Sequence, residues 1–99
     1  LINSMMLRKQ IGVLAMQETH LKESDREDLE NRFSRRLRIF ASADPVNPTG
    51  KSGVAVALNK AIVETEKATA IEIVPGRALL VKTQWRDGRP LKILNIYAP

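Results

Sequence analysis

Apolar positions in this chain come in short blocks, cut apart by polar and turn-forming clusters. Residues 11–17 (IGVLAMQ) form a continuous apolar run of strand length, the pattern of a strand buried on both faces. Residues 53–58 (GVAVAL) repeat that pattern, and residues 37–43 (LRIFASA) read as a strand between them. Asn59-Lys60 reads as a turn into a short strand at 62–65, and residues 70–74 (AIEIV) alternate as another, with Glu72 facing outward or paired. After Pro75-Gly76, residues 78–85 (ALLVKTQW) begin apolar and alternate from Lys82 onward, and residues 91–98 (LKILNIYA) form the last strand. Asp87-Gly88 between these two strands is a hairpin signal.

Helical spacing occurs twice. Ile2, Met5, Met6 and Lys9 fit the last turns of a helix. Ser24 stands three residues before Glu27, a capping box, and predicts a helix over about residues 25–36 with Leu29, Phe33 and Leu37 as its core stripe. The loop 44–50 holds Pro45 and Pro48, which cannot sit in a central ladder. Helix, strand, helix and then about six strands make an α+β chain, largely antiparallel after residue 50. With neither a repeat nor a linker, residues 1–99 read as one domain or part of one.

Composition narrows the function classes. The chain has 99 residues, 43% hydrophobic and 27% charged, as a globular domain does. It has no cysteine, which excludes disulfides and thiolate metal sites. Its single histidine, His20, excludes any multi-histidine site. No apolar run reaches the roughly 18 residues of a membrane span, and no targeting sequence is readable, so no membrane partner is expected. A formal charge of +5 suits a polyanionic partner.

Candidate chemistry gathers where apolar blocks turn polar. Gln17, Glu18, Thr19 and His20 follow the first apolar strand. Glu18 either caps that strand end or holds a divalent cation, since Mg2+ takes one or two carboxylates and keeps water and phosphate oxygens as its other ligands. His20 is either a loop histidine or a group that orients a phosphate or a metal ligand. Leu91, Ile93, Asn95 and Tyr97 share one strand face, which runs from apolar to polar toward the tyrosine hydroxyl. That hydroxyl either caps the core or donates to a phosphate. Arg77, at a strand start, suits a buried carboxylate or a phosphate. Arg32, Arg35, Arg36 and Arg38 cluster near the helix, interleaved with Glu27, Asp28 and Glu30 as on a solvated face. No Walker or dinucleotide fingerprint is present.

Three blocks in order carry a resemblance: residues 11–21 (IGVLAMQETHL), residues 52–58 (SGVAVAL), and residues 76–81 (GRALLV) leading to 94–99 (LNIYAP). The chain resembles the N-terminal half of the endonuclease/exonuclease/phosphatase family, the DNase I-like fold. It is most similar to the endonuclease domains of LINE-type retrotransposons and to apurinic/apyrimidinic endonucleases. The resemblance implies a partial DNase I-like α/β sandwich, two β-sheets flanked by helices, truncated at both ends.

By the same resemblance Glu18 is the metal-binding glutamate, for Mg2+ or Mn2+, and Tyr97 the active-site tyrosine. His20 lies on the phosphate side, Asn95 shares the tyrosine's face as a phosphate-side or supporting residue, and Arg77 is largely structural. The implied activity is nicking of DNA by phosphodiester hydrolysis, in an intracellular setting that is nuclear for a retrotransposon enzyme. The family's metal-proximal asparagine would precede Leu1. Its Asp-x-Asn pair, a further acidic residue and a closing Asp-His would follow Pro99, so the expectation is a fragment, inactive alone, whose partner is the C-terminal half of the same domain. Two other classes remain open: a non-catalytic basic nucleic-acid-binding module or decayed relic, and, within the fold, a phosphoinositide or phospholipid phosphoesterase.

Overall fold

The computed structural model describes residues 10–19, 23–33, 35–47 and 52–97. Its organising strand is β3 (Val54–Asn59), in which bulky Val54, Val56 and Leu58 alternate with small Ala55 and Ala57. A strand with large side chains on one face and small ones on the other can pack deeply on both sides. Every residue of β3 is buried. It lies between β1 (Val13–Gln17) and β2 (Leu37–Ser42), antiparallel to both, with Val13 opposite Leu58 and Leu37 opposite Asn59. Asn59 ends the strand: its Nδ2 donates to the Ile11 carbonyl at 3.1 Å, and its Oδ1 accepts from the Ala61 N–H at 3.0 Å.

On the small face of β3, Ala57 packs with Leu37 and Ile39, and Ile11, Leu14, Met16 and Leu29 close over them. Leu29 comes from helix α1 (Glu23–Phe33), which packs on β2. Glu30 fastens it there. Its Oε2 accepts from the Ile39 N–H at 3.0 Å and from Arg26 at 3.2 Å, and its Oε1 accepts from Arg38. Arg38 also lies 4.7 Å from the Phe40 ring centroid. Of the arginine cluster, Arg32, Arg35 and Arg36 are exposed, as expected of a solvated face.

The second sheet is an antiparallel meander, β4 (Val63–Val74), β5 (Ala78–Trp85) and β6 (Pro90–Ile96), in that spatial order. The hairpin at Asp87-Gly88 forms where the sequence places it. Gly88 has φ +92°, the Trp85 N–H donates to the Arg89 carbonyl, and the Gly88 N–H donates to the Trp85 carbonyl. The bulky face of β3 meets this sheet: Val54, Val56 and Leu58 pack with Val63, Leu79 and Val81, and Phe40, Trp85, Leu91, Ile93 and Tyr97 complete the core.

Several expectations are corrected. The α+β class and the DNase I-like α/β sandwich flanked by helices do not describe what forms. The described residues are mostly β, two small antiparallel three-stranded sheets and one helix of 11 residues. The helix expected over residues 1–9 lies outside them. Helix α1 covers the outer side of the first sheet, and among the described residues no helix covers the second. The capping box is displaced too, because α1 begins at Glu23, before Ser24. It ends at Phe33, and Leu37 belongs to β2, where pairing with Asn59 outweighs helical spacing. Among the described residues the first apolar run is an edge strand, half-buried, and β3 is the strand covered on both faces. The segments at 62–65 and 70–74 are one strand, β4, joined through a register shift between Glu64 and Thr69.

Candidate active site

β1 and β6 belong to different sheets, yet their C-terminal ends meet. Beyond β1 the chain turns sharply at Glu18, whose φ is +53°. For a residue with a Cβ this left-handed conformation costs about 1–2 kcal/mol. It marks a position worth testing for function, since backbone strain of this kind concentrates at working sites. Beyond β6 stands Tyr97, half-buried against the core. Its hydroxyl donates to Glu18 Oε1 at 2.9 Å, joining residues 79 positions apart.

This bond sets the protonation of the phenol. Donation to the Glu18 carboxylate is the main cause that raises the Tyr97 pKa above its ordinary 10.0; desolvation and the Glu18 charge add to it, and the Arg77 charge opposes it. Ionising the phenol would lose the donated proton and leave two anions in contact. Tyr97 is therefore a protonated hydrogen-bond donor at neutral pH. Arg77 is exposed, with its guanidinium carbon 5.8 Å from the Tyr97 ring centroid, within cation–π range. Its backbone carbonyl accepts from the Tyr97 N–H at 2.7 Å, so the turn before β5 also supports the tyrosine.

Asn95 is buried, 4% exposed, on the inner face two residues before Tyr97. Its Nδ2 donates to the Met16 carbonyl at 2.9 Å and to the Ala55 carbonyl at 3.0 Å. The shared face expected for Leu91, Ile93, Asn95 and Tyr97 is present, and Asn95 uses it to brace the two sheets. His20 lies outside the described residues. The structure thus brings together Glu18, Tyr97, Arg77 and Asn95.

Three further residues shape this end, two of them from the polar block that follows β1. Gln17 Nε2 donates to the Ile96 carbonyl. Among the described residues, the buried Thr19 hydroxyl oxygen finds no hydrogen-bond partner. Ser42 accepts from the Gly76 N–H at 2.7 Å and donates to Glu72 at 2.5 Å, which resolves Glu72 as paired. Gln17 and Thr19 flank Glu18 in the polar block, and that adjacency was the available signal; Ser42, a small residue at a strand end, offered none.

The donor set at Glu18 suits a hard cation that keeps most of its water. Among the described residues no group of three or more His, Cys, Asp or Glu side chains gathers. An exposed carboxylate fits hydrated Mg2+ or Mn2+ that takes its other ligands from water and a phosphate. Among the described residues no helix is long and apolar enough to cross a membrane. The chain matches no protein-family model and no curated protein.

Proposed function

We propose that the Glu18–Tyr97–Arg77 end of the sheets is the metal- and phosphate-facing part of a metal-dependent DNA endonuclease that hydrolyses a phosphodiester. The observation that carries this reading is the 2.9 Å bond from the Tyr97 hydroxyl to Glu18 at a left-handed backbone position. Glu18 would hold Mg2+ or Mn2+, and such an ion supplies charge neutralisation on phosphoryl oxygens. Tyr97, protonated at neutral pH, would turn its single proton from Glu18 to an oxygen of the scissile phosphate as charge develops there. Arg77, exposed beside the ring, adds positive charge on the side from which a polyanion would approach. The net charge of +5 favours the same class of substrate.

The test has two arms. Paramagnetic Mn2+ titrated into the chain should broaden amide signals around Glu18 and Tyr97, and Glu18→Gln should remove that local broadening. Supercoiled plasmid should be nicked in Mg2+ by the protein carrying this segment, and Tyr97→Phe should slow nicking about 100-fold, the typical effect of removing one donor at developing charge. No local Mn2+ effect, together with salt-dependent DNA binding that ignores Glu18→Gln, would replace this reading with a basic binding module.

A further inference from the structure

No ladder sets the register of β1 against β6, because the two strands lie in different sheets. Two side-chain bonds do it instead, and they run in opposite directions. Asn95 on β6 donates to the Met16 carbonyl on β1, and Gln17 on β1 donates to the Ile96 carbonyl on β6. Counting along both strands, position 16 meets 95, 17 meets 96, and 18 meets 97. The last of these three rungs is the Glu18–Tyr97 bond.

We infer that Asn95 and Gln17 are positioning residues, a reciprocal clamp between the two sheets that holds the Tyr97 hydroxyl within bonding distance of Glu18. Sheets packed only through apolar side chains have no directional contact that fixes their sliding. A contact of 2.9 Å does not survive a displacement of an ångström. Asn95 reinforces the clamp with its second bond, to the Ala55 carbonyl on the central strand, which ties the register of β6 to the most buried element of the fold. An apolar residue would pack beside its cross-strand neighbour Leu79 but could make neither bond. A buried polar group at such a position sets alignment rather than adding stability. The purpose of the clamp rests on the proposed function; its existence does not.

The experiment uses the full chain, without DNA or metal. Tyr97 is the single tyrosine, so selective carbon-13 labelling gives one ring signal whose position reports the hydroxyl's acceptor. Glu18→Gln fixes where that signal moves when the carboxylate is lost. Asn95→Ala and Gln17→Ala should both shift it toward the Glu18→Gln position. Leu79→Ala, which loosens the same core without removing a clamp bond, should leave it at the wild-type position. Gln17 is exposed, so its variant is readable even where Asn95→Ala does not fold. A folded Asn95→Ala or Gln17→Ala chain whose Tyr97 signal coincides with wild type overturns the assignment. A clamp confirmed here alongside a failed nicking assay would leave the positioning role standing and remove the nuclease reading.

Discussion

Replacing Gly76 by alanine tests how tightly the turn beneath the site is built. Gly76 has φ +76°, and a Cβ there would lie 2.7 Å from the Asp44 nitrogen and 2.9 Å from its Cα. Both are backbone atoms, so no rotamer change relieves the clash. The left-handed conformation costs an alanine about 1–2 kcal/mol, and forcing extra volume into a packed site adds about 1–3 kcal/mol. The expected loss is therefore about 2–5 kcal/mol, a large share of the roughly 5–15 kcal/mol that holds a typical domain. Gly88 supplies the control, because its φ is +92° and nothing lies within 4 Å of its Cβ position. Gly88→Ala should show only the conformational part, about 1–2 kcal/mol. Urea unfolding of the three proteins, fitted to two states with a common slope, measures both losses. The backbone of Gly76 also bonds to Ser42 and accepts from the Gly53 N–H, so a displaced turn would be felt at Arg77 and Tyr97. Equal losses for the two variants would show that the approach to Asp44 contributes nothing, and the reasoning would fall.

Two further outcomes follow from other parts of the fold. Asp44 has its pKa lowered chiefly by the backbone N–H groups of Val46 and Asn47, with the Ser52 hydroxyl and Arg77 helping against desolvation. A depressed carboxylate stabilises the fold above its unfolded pKa and loses that contribution as pH falls through the folded value, so acid unfolding below about pH 4 should be less steep in Asp44→Asn than in wild type; superimposable acid limbs would refute it. On the outer face of the second sheet Ile71, Leu80 and Leu94 form one cross-strand row, and Ile71, Ile73, Val74, Leu94 and Ile96 are each about half exposed, from 47% to 54%. This face should bind an apolar fluorescent dye, and the double variant Ile71→Thr, Leu94→Thr should lose most of that signal; undiminished fluorescence would place the dye elsewhere.

Much of the strand layout was legible because it depends on neighbours in sequence. The short continuous apolar run at 53–58 marked β3, and Asp87-Gly88 marked the hairpin. What failed was anything decided by packing across the chain. Leu37 has the spacing of a helical core position, but opposite Asn59 it completes a ladder beside a fully buried strand, and tertiary pairing prevails over local period. The apolar run at 11–17 looks doubly buried, but among the described residues strand order places it at an edge, which composition does not encode. The α+β class failed for a related reason: it rested on helices read from local spacing at 1–9 and 25–36, whereas the described residues hold one helix beside six strands.

The site divides along the same line. Glu18 stood out because a polar block follows an apolar strand, and Tyr97 because it ends an alternating face; both are local signals. Their bond is not local, since it closes 79 residues and joins two sheets, and neither strand's pattern names the other. Gln17 and Asn95 make the link physical. Each is a polar residue where a β-strand could have held an apolar one, and each gives its amide to the opposite strand's backbone. A side chain bonding to backbone leaves no complementary residue type to find, so this register cannot be read from residue pairs. The same feature makes it robust: a carbonyl is present whatever residue occupies position 16 or 96, and the alignment of Glu18 with Tyr97 depends on two side chains rather than four.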